Sequence, residues 1–162
     1  MNKRAGFTLL EVLVVLVIIS VIISFAVLAI DTGPEELRRE GNRIASLLEL
    51  ASEEAVMNGR EYRVVLRQHS YSFDLLQEGK WQGVEDELFR PRQLPSDLSL
   101  QLFMENQEVP LNDEEDPETA KTAALLILSS GEMPPFELTV SGLSTTKLRI
   151  HSDGSEIETD FP

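Results

Sequence analysis

Glu11 is the residue whose position asks most of chemistry: between Phe7 and Ile30 it is the only ionisable side chain in a run of apolar and small residues. A carboxylate at the centre of a membrane-length helix costs on the order of 2.5–3.5 kcal/mol on insertion scales and is expected to face a partner rather than lipid. Pairing recovers that cost only where the geometry is good. Just upstream, Lys3-Arg4-Ala5-Gly6-Phe7 places a small residue directly after two basic ones and directly before the apolar run. A secretory signal has its cleavage site at the far end of the apolar stretch. Here a cut after Gly6 would discard the basic residues and keep the hydrophobic helix.

Other reactive residue types are present in less demanding arrangements. Asp113-Glu114-Glu115-Asp116-Pro117 offers oxygen ligands of the kind calcium takes. It lacks the Asp-x-Asp-x-Asp-Gly spacing with a closing glutamate, so residues 105–118 read as a mobile solvated loop and no metal is assigned. His69 and His151 fall at turn or outward-facing positions and in no metal spacing. Ser129-Ser130-Gly131-Glu132 lacks the G-x-S-x-G context of a nucleophile elbow, and with no cysteine in the chain no catalytic residue and no cofactor is assigned. The reading is that of a non-enzyme.

The elements around Glu11 follow from length and periodicity. Residues 7–30 form one helix of about 36 Å at ~1.5 Å per residue, enough for a hydrocarbon core of ~30 Å. Lys3 and Arg4 precede it and Asp31, Glu35 and Glu36 follow it, so the N-terminus is expected in the cytoplasm and residues 31–162 outside the inner membrane, in the periplasm. Disulfides are permitted there; without cysteine the domain must hold by its core. About 130 residues are enough for one such domain. Residues 101–162 hold 13 Asp and Glu against 3 Lys and Arg, a net of −10 within the chain's −14. Such a surface repels phosphate backbones, and nucleic acid is excluded as a partner.

Gly33-Pro34-Glu35-Glu36 suits the first turn of a helix, and whether the membrane helix kinks there or a new one begins is left open by the sequence. Leu37, Gly41, Ile44, Leu48, Ala51 and Ala55 form a helical stripe ending at Asn58-Gly59 and predict a helix laid on a sheet. Beyond Gly59 the period becomes two. Strands are predicted at Tyr62–Leu66, Tyr71–Leu75, Lys80–Val84, Leu98–Leu102, a more fully buried Ala123–Leu128, Phe136–Val140, Leu148–Ile150 and Ile157–Phe161, with Asp153-Gly154 as a tight hairpin. Helix first and strands afterwards predicts an α+β fold.

The register of Lys3-Arg4, Gly6, Phe7 and Glu11 resembles the prepilin leader of the type IV filament superfamily. Ser129-Ser130-Gly131-Glu132-Met133-Pro134-Pro135-Phe136 is similar to the strand-flanked element of the GspH/FimT group of minor pseudopilins and minor pilins. The resemblance implies a pilin-like fold, with a long N-terminal hydrophobic helix packed onto the antiparallel β-sheets of a C-terminal globular domain. It implies cleavage between Gly6 and Phe7 by a prepilin peptidase, with 1–6 as leader, N-methylation of Phe7, and pairing of Glu11 with the Phe7 amine of a neighbouring subunit. Within the group the chain looks most like the H-type minor pseudopilins of the type II (general) secretion system. The implied role is a structural subunit near the tip of a pseudopilus that helps drive folded exoproteins through an outer-membrane secretin. Its partners would be other minor and major pseudopilins, the peptidase, the inner membrane and exoprotein substrates. The alternative is a FimT-like minor pilin of a type IV pilus, which the acidic charge fits less well where DNA uptake is concerned.

Overall fold

The computed structural model describes residues 9–28, 33–113, 123–143 and 145–161. The chain divides into two compact units, 1–32 and 33–162.

The first unit is α1, Leu9–Leu28, 20 residues with Glu11 in its first turn. Its described side chains, Leu9 to Ile22, are all exposed within the single chain. The helix is apolar on every side, as a helix solvated by lipid or by other helices must be. Among the described residues no helix meets the length and apolarity of a membrane span. The backbone of α1 is helical from Leu9 to Leu28, about 30 Å at ~1.5 Å per residue.

The second unit opens with α2, Gly33–Asn58. Pro34 needs no intrahelical N–H partner in the first turn, and Glu35 and Glu36 complement the positive end of the helix. Whether α1 and α2 are continuous falls on residues 29–32, outside the described residues. At the other end Gly59 takes φ +60° and the Arg60 N–H donates to the Ala55 carbonyl at 3.1 Å, the closing bond of a Schellman cap. The predicted stripe is buried throughout, and Ala45, Leu47 and Glu40 widen it. Glu40 sits on this face because its carboxylate accepts from Arg43 at 2.6 Å, one turn on, and Arg43 reaches solvent.

Among the described residues ten strands follow, in two antiparallel sheets. The first contains β1 (Tyr62–Leu66), β2 (Ser70–Gln77), β3 (Lys80–Gly83) and β7 (Ala124–Ile127) in the order β3-β2-β1-β7, with the short β4 (Arg92–Gln93) added to β2. The second runs β10-β9-β8-β5-β6, from β5 (Ser99–Met104), β6 (Gln107–Val109), β8 (Phe136–Ser141), β9 (Lys147–Ser152) and β10 (Ile157–Asp160). The fold is α+β as expected, with α2 as the helix that packs on the sheets. One core joins Leu37, Ile44 and Leu48 of α2 to Val64, Phe73 and Leu125 of the first sheet and Leu102, Leu138 and Ile150 of the second.

Several sequence expectations need correction. Ala123–Leu128 is not buried on both faces: Leu125 and Ile127 point into the core while Leu126 and Leu128 are 45% and 42% exposed. Asp153-Gly154 is not a two-residue turn. Ser152 pairs with Ile157, leaving four residues, in which the Asp153 carboxylate accepts from the Ser155 and Glu156 N–H groups. The segment expected as a loop from Glu105 contains β6, because Glu105 and Asn106 both take positive φ and make a tight hairpin between Met104 and Gln107 of the kind that right-handed strand twist favours. Asparagine accepts that conformation readily; glutamate gives no such signal.

Candidate functional site

Gly6 and Phe7 lie outside the described residues. Glu11, the third member of the predicted set, lies exposed on the first described turn of α1. A carboxylate there, on a helix otherwise apolar on every side, can hold a cation supplied by a neighbouring helix.

The Ser129–Phe136 element serves as a clamp. The Gly131 N–H donates to the Leu128 carbonyl and the Leu128 N–H donates to the Glu132 carbonyl, each at 2.8 Å, closing a compact turn after β7. The Ser52 hydroxyl of α2 then donates to the Gly131 carbonyl at 2.8 Å, and the Met133 N–H donates to the Gly154 carbonyl at 3.0 Å in the β9–β10 turn. Three parts of the domain therefore meet here. Gly131 takes φ +86°, and a Cβ placed on it would stand 2.8 Å from Val56 Cγ2 and 3.1 Å from Ser52 Oγ, so glycine is required twice over. Buried Met133 and Phe136 anchor the exit into β8. Ser129 and Ser130 are exposed, and the Ser130 hydroxyl meets only its neighbour Glu132, at 3.2 Å.

Both histidines are tied to carboxylates, which the sequence reading missed. His69 contacts Asp113 through Nδ1 at 2.5 Å and donates its backbone N–H to the same carboxylate at 2.9 Å. Burial alone would raise the Asp113 pKa, but the side-chain and backbone hydrogen bonds from His69 and the fields of His69 and Arg67 outweigh it, and the carboxyl lies below the ordinary Asp range. The first residue of the acidic cluster is thus an anchor; Glu114–Pro117 lie outside the described residues. His151 faces Glu158 at 3.2 Å and Asp160 at 4.0 Å across the β9–β10 ladder. Forty-four residues separate His69 from Asp113, so no local pattern could have paired them. Among the described residues no three His, Cys, Asp or Glu side chains are grouped to hold a metal ion.

An apolar helix bearing one carboxylate in its first turn, followed in the chain by a helix clamped onto antiparallel sheets, defines a pilin-like subunit. Residues 40–154 match the family of type II transport protein GspH, and residues 1–29 match the prokaryotic N-terminal methylation motif. The type II secretion system protein H of Pseudomonas aeruginosa is 35% identical over 164 residues, covering 95% of this chain and 94% of the relative. That of Aeromonas hydrophila is 29% identical over 150 residues, covering 86% and 82%. Among solved structures, the minor pseudopilin EpsH from the type 2 secretion system of Vibrio cholerae superposes with a TM-score of 0.65 at 21% identity, over 78% of this chain and 96% of that one. The chain belongs to the GspH family and is a minor pseudopilin of the type II secretion system.

Proposed function

We propose that the chain is a structural, non-catalytic subunit placed near the tip of the pseudopilus, where it helps drive folded exoproteins through the outer-membrane secretin. Residues 1–6 are a leader removed by the prepilin peptidase. Cleavage leaves Phe7 as the methylated N-terminus of a helix that anchors the subunit in the inner membrane, with the globular unit in the periplasm. The observation that carries the reading is Glu11 on the first turn of an otherwise apolar helix. Its carboxylate meets the Phe7 amine of a neighbouring pseudopilin, major or minor. In a low dielectric that contact offsets part of the cost of taking the carboxylate out of water, which favours association of the helices.

The match of residues 1–29 to the methylation motif supports the processing step, and the net charge of −14 argues against a nucleic-acid partner. Processing is tested by Gly6→Val, which puts a β-branched residue where the peptidase needs a small one. The expected result is an uncut precursor that retains Lys3 and Arg4 on intact-mass analysis of membrane fractions. Equal amounts of mature protein with a methylated Phe7 amine, from mutant and wild type, would remove the support for this route.

A further inference from the structure

The first sheet ends on β7, whose sole strand partner among the described residues is β1. The Leu66 N–H donates to the Ala123 carbonyl at 2.9 Å, which fixes the parity of the ladder. Residues 123, 125 and 127 turn their backbone groups toward β1; 124, 126 and 128 turn theirs to the open side. Leu128 follows this rule, its N–H and carbonyl both engaged by the Gly131-Glu132 turn. The N–H and carbonyl of Ala124 and Leu126 are left facing outward with no partner among the described residues.

A groove of about 610 Å³ includes Leu126 of this edge in its lining, together with Leu128, Met133, Pro134, Pro135 and the Gly154 turn. The two ionisable side chains lining it, Glu132 and Asp153, are both acidic. The Ser155 and Glu156 N–H groups and the Ser155 hydroxyl hold the Asp153 carboxyl below its ordinary range, so its charge persists at neutral pH. Edge strands are usually guarded by lysine, proline or a bulge; β7, Ala-Leu-Leu-Ile, has no lysine or proline. A second copy of the chain is a poor occupant, because each carries a net charge of −14 and edge-to-edge pairing would bring two acidic grooves together.

We propose that the outer edge of β7 receives an extended segment of another protein subunit by β-augmentation. Alternate side chains of that segment are apolar and fill the groove, and a flanking lysine or arginine meets Glu132 and Asp153. This surface is separate from Glu11, and the proposal does not depend on how the membrane helices pair.

The test uses the full chain in detergent micelles and a fluorescent blocked heptapeptide, Lys-Val-Thr-Val-Thr-Val-Lys, read by anisotropy. Saturable binding is expected, with the Glu-flanked counterpart about tenfold weaker or worse. Two further peptides, N-methylated on every Val amide or on every Thr amide, read out strand geometry, since one edge of the added strand faces β7 and the other faces solvent. One pattern should lose about tenfold in affinity, the equivalent of one or two net hydrogen bonds, and the other should retain it. Leu126→Pro removes an outward N–H without touching the β1 ladder and should weaken binding similarly. Should that variant misfold, Glu132→Gln with Asp153→Asn must lower affinity and flatten its salt dependence. Absent binding of the Lys peptide, equal binding of the acidic one, or equal effects of both methylation patterns would overturn the proposal. So would concentration-dependent self-association abolished by Leu126→Pro, which would give the edge to a second copy.

Discussion

Replacing Gly131 by alanine should loosen the joint that holds the β7 turn, α2 and the β9–β10 turn together. At φ +86° an L-residue costs about 1–2 kcal/mol in backbone strain. The new Cβ would stand 2.8 Å from Val56 Cγ2, forcing that side chain off its rotamer at about 0.5–1.5 kcal/mol. It would also crowd the Ser52 hydroxyl, whose 2.8 Å bond to the Gly131 carbonyl is worth about 0.5–1.5 kcal/mol net. The combined loss is about 2–5 kcal/mol, which for a unit of this size lowers Tm by about 6 °C or more. Urea unfolding of the unit from Gly33 onward, followed by far-UV circular dichroism, measures it. Val56→Ala removes the methyl group in the way, so Gly131→Ala on that background should recover about 0.5–1.5 kcal/mol. A loss below about 0.5 kcal/mol, or strict additivity of the two substitutions, would refute the clamp.

Tyr71 is 1% exposed and its hydroxyl has no hydrogen-bond partner among the described residues, so Tyr71→Phe should leave stability unchanged or raise it by about 1 kcal/mol; a fall of that size in urea unfolding would contradict this. Burial pushes the Tyr71 hydroxyl up to about 12, with the Arg92 field opposing and Glu40 assisting. Its contribution is therefore full below the unfolded value of about 10 and lost as pH rises through about 12, an alkaline limb that Tyr71→Phe should lack. Asp113→Asn should destabilise at pH 7 and become indistinguishable from wild type in acid. A carboxyl whose folded pKa lies below the unfolded value of about 3.9 contributes above that value and loses its contribution as pH falls through the folded pKa. A melting difference that persists unchanged to pH 3 would mean that the His69–Asp113 contact does not involve charge.

The sequence disclosed most where one residue type admits one physical explanation. Gly59 ends α2, and Leu37 to Ala55 at three- and four-residue steps set its buried face. The alternation of Tyr62, Val64 and Leu66 fixed which side of β1 faces the core. Where apolar residues run without a break the period vanishes, so Ala124-Leu125-Leu126-Ile127-Leu128 could not show that every second leucine looks outward. Short β4 and β6 depend on backbone turns and on neighbours already in place, and neither Arg92-Gln93 nor Gln107-Glu108-Val109 has a hydrophobic pattern of its own. Glu40 reads as a surface charge; only Arg43 one turn away explains its place in the stripe. Glu11 was legible because a lone carboxylate in an apolar helix is costly wherever it lies, whereas the clamp around Gly131 required the fold, since its partners Ser52 and Gly154 are far apart in the chain.

Site-directed crosslinking in membranes tests the central claim, that Glu11 drives assembly through a neighbouring amine. Single cysteines are introduced into α1 of this otherwise cysteine-free chain and into its pseudopilin partners, in the wild-type, Glu11→Ala and Glu11→Asp backgrounds. An apolar substitution makes the helix more favourable to lipid, so Glu11→Ala should insert, be cleaved after Gly6 and accumulate as wild type does, yet lose its crosslinks to partners and fail to support secretion. Glu11→Asp keeps the charge with a shorter reach and should fall between the two. Wild-type crosslinking and secretion by a normally processed Glu11→Ala subunit would contradict the account.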